Sequence, residues 1–177
     1  MLVSLGIGSI VLLVIAVLSA YGFRSFVALG NYADLDQRSR NALDMISREM
    51  RQSTDLLSFQ TNATAKSLTF TNTLTATRMK LYWDSDSRIL TLDITGQGVY
   101  PILTDCERWD FSLYSKAAAV TPTNIIFYPA TNGTGVLDPT VCKLINMSWK
   151  CSRTILGNKV NTESVQTAQI VMRNKVK

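Results

Sequence analysis

The first charged side chain in this sequence is Arg24; no side chain from Met1 to Phe23 carries a charge at neutral pH. Coiled at about 1.5 Å per residue, that stretch is about 34 Å long, enough to cross a hydrocarbon core of about 30 Å. Three explanations compete. A cleaved secretory signal opens on basic residues and closes on a small-residue cleavage site, yet no Lys or Arg precedes Leu2 and the apolar run is longer than a usual signal core. A buried core helix would carry more polar positions than Ser4, Ser9, Ser19 and Tyr21. A membrane-spanning helix fits. Its small residues include Ser4-x-x-x-Gly8 and Ala16-x-x-x-Ala20, spacings that permit close helix–helix approach in an apolar medium. Ser4, Gly6, Gly8, Leu12, Leu13, Ala16 and Ala20 are the candidate residues for packing against other helices.

The helical signal continues past Arg24. Leu35, Ala42, Leu43, Ile46, Met50 and Leu57 recur at three, four or seven residues and make one apolar stripe. Asp34–Arg38, Asp36–Arg40 and Asp44–Arg48 are acid-before-base pairs one turn apart, the favourable order on a helix. No proline occurs before Pro101, and Gly22 and Gly30 are the candidate bends. The pattern predicts one helix from near residue 2 to about Leu57. Residues 1–23 form its apolar half, residues 24–58 its amphipathic half, and residues 59–177 a β-rich head onto which the stripe docks.

In the head, Met79, Leu81 and Trp83 alternate with polar neighbours, Asp84-Ser85-Asp86-Ser87 makes a turn, and Leu90, Leu92 and Ile94 resume the alternation. This reads as a hairpin. Further strands are expected at Leu68–Phe70, Val99–Leu103, Trp109–Leu113, Ile145–Trp149 and Val165–Met172, with a loop through Pro122, Pro129, Asn132-Gly133 and Pro139. The fold class is therefore α+β: one long helix on an antiparallel sheet of about five to seven strands.

Histidine is absent, which removes the commonest general base and metal ligand. No nucleophile–base pairing stands out, so the chain is not expected to be an enzyme, and no cofactor is expected. Gly6-Ile-Gly8-Ser-Ile-Val11 begins like a dinucleotide fingerprint but lies inside the apolar helix. Asp84-x-Asp86 begins like a calcium loop, but Ile89 stands where the glycine is required. Asn62, Asn132 and Asn146 each open a glycosylation triplet. Six basic residues, Lys150, Arg153, Lys159, Arg173, Lys175 and Lys177, face a single acid, Glu163, across the last part of the chain. They are a candidate anionic-ligand patch, with nucleic acid as a weak partner expectation and a solvated surface as the plainer one.

Cys106, Cys142 and Cys151 fit no C-x-x-C spacing. Cys142 and Cys151 lie along one expected strand, about 30 Å apart if extended, so neither bonds the other and Cys106 is a partner in any bridge. Strand order favours Cys151 and side-chain parity favours Cys142. Cys106–Cys151 is slightly preferred, because a single bulge removes the parity objection.

An apolar helix, an amphipathic continuation and a β-meander are the plan of type IV pilins and type II secretion pseudopilins. Residues Arg40-Asn-Ala-Leu-Asp-Met-Ile-Ser-Arg-Glu-Met-Arg-Gln52 resemble the second half of the helix in PilW-like and J-type minor subunits. The segment Glu163-Ser-Val-Gln-Thr-Ala-Gln-Ile-Val-Met-Arg-Asn174 is similar to their last strand, and Met1-Leu-Val-Ser-Leu-Gly-Ile-Gly8 to the start of their apolar helix. Family members are cut after a glycine and then carry a phenylalanine and a glutamate just before the stretch matching Met1. Those residues are not in this sequence, so N-terminal methylation and the glutamate's pairing are not carried over. The resemblance implies a structural filament subunit, partnered by copies of itself or other pilin-like subunits. It would sit in the inner membrane before assembly and in an extracellular or periplasmic filament afterwards, with its head outside the cytoplasm. The rival expectations are a single-pass membrane protein with a ligand-binding head, and a DNA-capturing minor pilin. Many bacterial type IV pilins have a helix-breaking proline about where Val17 falls here, so this helix is expected to stay continuous from Ile10 to Leu57, with any unwinding confined to Gly6–Ser9 or a bend near Gly22.

Overall fold

A computed structural model describes the backbone of residues 2–72, 75–116, 126–154 and 163–172, with side chains from Gly6 onward. One helix, α1, runs unbroken from Leu2 to Gln52, about 76 Å at 1.5 Å per residue. Neither Gly22 nor Gly30 interrupts it. It stops at Gln52 rather than near Leu57. Ser53 turns its hydroxyl back onto the Glu49 carbonyl at 3.0 Å, and Thr54 gives both its N–H and its hydroxyl to the Thr71 carbonyl. Such hydroxyls offer the backbone an alternative to the helix, and here the chain leaves as strand β1 (Asp55–Thr61). Strand parity then buries Leu56 and leaves Leu57 44% exposed, so Leu57 is not part of the stripe.

Strands β1, β2 (Ala65–Asn72), β3 (Thr77–Asp84), β4 (Ile89–Ile94) and β5 (Gly98–Leu103) form an antiparallel meander in chain order. The expected hairpin is present, with buried Met79, Leu81 and Trp83 opposite Ile94, Leu92 and Leu90. Strands β6 (Cys106–Lys116), β7 (Phe127–Pro129), β8 (Leu144–Ser152) and β9 (Glu163–Val171) form a second sheet in the order β7-β6-β8-β9. The head thus has two sheets and, among the described residues, nine strands, where one sheet of five to seven was expected. The reason is that β6 pairs with β8 and not with its sequence neighbour β5. Alternation tells which face of a strand is buried; it does not tell which strand completes the ladder.

The sheets are tied by polar contacts at their junction. Lys66 reaches from β2 to the Trp109 carbonyl and the Asp110 carboxylate, at 2.8 and 2.6 Å. Trp83 donates its indole N–H to the Cys106 carbonyl at 2.9 Å. Helix α1 lies across β5, β8 and β9. One core is shared by Ile46 and Met50 of the helix, Phe70 and Leu81 of the first sheet, and Trp109 and Trp149 of the second.

Candidate functional site

Two surfaces of α1 differ completely. From Gly6 to Leu29 nothing is buried, and Ile10, Leu12, Leu13, Leu18, Phe23 and Phe26 are all more than half exposed. The most apolar stretch is wholly uncovered by the rest of the chain, and it is long and apolar enough to cross a membrane. A Cβ added at Gly6, Gly8, Gly22 or Gly30 would meet nothing within 4 Å. Glycine costs a helix about 1 kcal/mol relative to alanine, so nothing in this chain's own packing accounts for four of them. Ala16 and Ala20 are likewise exposed, and the Ser4 side chain lies outside the described residues.

The first helix residue seated in the core is Leu35. Residues 6–34 therefore leave roughly 43 Å of mostly apolar helix uncovered, against a bilayer core of about 30 Å. The surplus holds Phe26, Val27, Leu29 and Tyr32, all exposed. A bilayer of that thickness would cover part of this surface, not all of it.

Beyond Leu35 the helix is anchored by Leu35, Ala42, Ile46 and Met50, each at most 2% exposed, with Leu43 packed partly against the same core. Burying one such large aliphatic side chain contributes about 1.5–3 kcal/mol. Ser39 also lies on this face, fully buried, and accepts the Trp149 indole N–H at 3.1 Å. Its place between Leu35 and Ala42 at helical spacing was the available signal, hidden by its polarity. A charged clamp closes the contact: Arg153 binds Asp34 on the helix and Asp105 after β5, both at 2.6 Å. Gln166 of β9 adds a bond to Asp36. The pairs Asp34–Arg38 and Asp36–Arg40 form as expected, at 3.0 and 2.8 Å. Asp44–Arg48 does not, because Arg48 turns to Glu49 at 3.2 Å.

At the junction of the sheets, Cys106 and Cys151 are direct cross-strand partners, and a bulge follows Cys106. All three cysteines are buried free thiols; no disulfide joins them. A hydrogen bond to the Cys151 sulfur, reinforced by burial, pushes the Cys106 thiol far up, while the same bond, aided by one from Ser39, lowers Cys151. Cys142 stands apart, its thiol directed to the Leu144 carbonyl. Arg88 spans the junction and donates to the Ser152 carbonyl at 2.6 Å.

Of the six basic residues of the candidate anionic-ligand patch, two lie among the described residues. Lys150 is held by Glu163 at 2.8 Å and Glu107 at 3.8 Å, and Arg153 is committed to its clamp. Lys159, Arg173, Lys175 and Lys177 lie outside the described residues. Of the glycosylation triplets, Asn62 and Asn132 are exposed, whereas Asn146 sits within β8. Asp84 caps its turn by accepting the Ser87 N–H at 3.1 Å. An open groove of about 430 Å³ between α1 and β5 is lined by Met45, Ile94, Tyr100, Pro101 and Ile102.

Comparison with family models, with curated proteins and with solved structures finds no match for this chain.

Proposed function

We propose that this protein is a structural subunit of a type IV pilus-like or type II secretion pseudopilus filament, assembled through its N-terminal helix. The carrying observation is the uncovered apolar length of α1. A bilayer covers about 20 residues of helix, and the surplus through Phe26, Val27, Leu29 and Tyr32 remains bare. Apolar surface in water drives association at about 25 cal/mol per Å². The helices of neighbouring subunits supply such a cover, and the open glycine positions at Gly6 and Gly8 let their backbones come close. In this reading the subunit waits in the inner membrane with its head outside the cytoplasm, then passes into a filament whose shell is made of heads. It performs no catalysis and needs no cofactor.

The groove between α1 and β5 favours a second reading, a bitopic protein whose head binds an apolar ligand. Electron microscopy of sheared surface material, with peptide mapping of the fibres, separates the two. Fibres containing this chain are expected. Its absence from every fibre, with retention in the membrane, overturns the filament reading.

A further inference from the structure

Among the described residues, three charged side chains of α1 take part in no ion pair, Asp44, Arg24 and Arg51, and of the two arginines only Arg24 stands within the bare apolar stretch. Of its four carboxylates, Asp34 binds Arg153 and Arg38, Asp36 binds Arg40, and Glu49 binds Arg48. Asp44 is exposed and, among the described residues, takes part in no ion pair. Arg24 is exposed in the same way, amid bare Phe23, Phe26 and Val27. Once a neighbour covers that apolar surface, an unpaired guanidinium there is desolvated at a cost of several kcal/mol. It then requires a carboxylate.

The two residues stand in a definite relation. At 3.6 residues per turn, Arg24 and Asp44 point about 200° apart around α1 and lie about 30 Å apart along it. They occupy opposite faces. An open head-to-tail array needs two different patches on opposite sides of one subunit, whereas a closed two-fold dimer uses a single self-complementary patch.

We propose that Arg24 of one copy pairs with Asp44 of the next, so that neighbouring parallel helices are staggered by about 30 Å. The same stagger brings Phe26, Leu29 and Tyr32 of the lower copy level with Gly6, Ser9 and Leu12 of the upper one. The bare surplus of one helix then meets the small-residue end of another, and Phe26 faces a position with no Cβ. This rests on the assembly reading above and adds to it a contact and a register.

Cysteine cross-linking in membranes of cells expressing the full chain tests the register. With Arg24→Cys and Asp44→Cys in one chain, mild oxidation should give a ladder of dimers, trimers and higher species. Each single variant should stay monomeric. Arg24→Asp and Asp44→Arg should each lower oligomer yield at least about tenfold, and the two together should restore it. Dimers from Arg24→Cys alone would show a same-face contact and overturn the pairing. So would no ladder, or bonding of residue 24 to a cysteine placed at Asp86 or Asp93, while a lysine-reactive cross-linker still captures wild-type oligomers. If that cross-linker captures no wild-type oligomer, the assembly reading itself fails.

Discussion

Trp149 on β8 donates its indole N–H to Ser39 on α1, and the same hydroxyl directs its proton to the Cys151 sulfur 4.0 Å away. All three residues are buried, so this is a polar thread through an apolar contact. Ser39→Ala strands the indole N–H without an acceptor, at about 1–3 kcal/mol. Alanine returns about 0.5 kcal/mol through helix propensity. A net loss of about 0.5–2.5 kcal/mol is expected in urea unfolding followed by tryptophan fluorescence. An unchanged midpoint would show that water or another group takes the N–H.

The clamp predicts how stability responds to acid. Hydrogen bonds from Arg153, then Arg38, hold the Asp34 carboxyl below its ordinary value of 3.8. A depressed folded-state pKa means stabilisation that is complete above the unfolded value and fades as pH falls through the folded one. Asp34→Asn should therefore lower Tm at pH 7, and the difference should shrink as pH falls below 3.8 and through the depressed folded-state value. The check is a pair of Tm profiles against pH. A constant gap between the two proteins down to pH 2 would contradict the clamp.

Cys106 and Cys151 are placed to be joined, and Cys142 is not. Refolding from the unfolded state in a glutathione redox buffer should yield the Cys106–Cys151 bridge, with Cys142 left reduced and alkylatable once the chain is unfolded again. The bridge should add about 2–4 kcal/mol. Non-reducing peptide mapping reads the connectivity directly, and a bridge from Cys142 to either partner would mean that the β6–β8 register is wrong.

Within the anchoring stripe, Ile46→Ala should cost about 2–5 kcal/mol, because the side chain is fully buried and its cavity cannot fill with water. Leu57→Ala, on the outer face of β1, should change stability by less than about 0.5 kcal/mol. Equal losses in denaturant melts would place Leu57 back on the helix.

These contrasts show what was legible in the sequence. The helix and its inward face were, since an apolar half without charge and a stripe from Leu35 to Met50 leave little choice. The β3–β4 hairpin was also legible, because its alternation and turn are local. Strand β1 was not: Asp55–Thr61 lacks clean alternation, and its existence depends on Thr54 and Asp55 meeting Thr71. The division into two sheets was equally hidden, since it turns on β6 choosing β8 across a long connection. Ser39 was hidden by its polarity although it stands at helical spacing between Leu35 and Ala42, while Arg88 and the Asp34–Arg153 pair escaped for the same reason as the sheets. Each matters through a partner far away in the chain, 119 residues in the last case, and no local pattern records such a pairing.

The shape of α1 in any assembled state gives the last prediction. The helix runs through Ile10–Ser19 without proline, so every peptide N–H there can bond within the helix. In an apolar surrounding, opening that segment would leave polar groups unpaired at several kcal/mol each. The inner end is different. Gly6 and Gly8 weaken the helix by about 1 kcal/mol each, and the Ser9 hydroxyl already bonds the Gly6 carbonyl at 2.8 Å, offering that group a partner outside the ladder. Any unwinding should therefore be confined to Gly6–Ser9, with continuous helix from Ile10 to Gln52. Val17→Pro would remove one ladder bond and introduce a clash, costing about 3 kcal/mol, and should kink or open the helix there. A density map of the wild-type assembly should show an unbroken rod past Val17. Extended backbone between Val11 and Val17 would overturn the prediction, because it would mean that packing between copies outweighs the unpaired peptide groups.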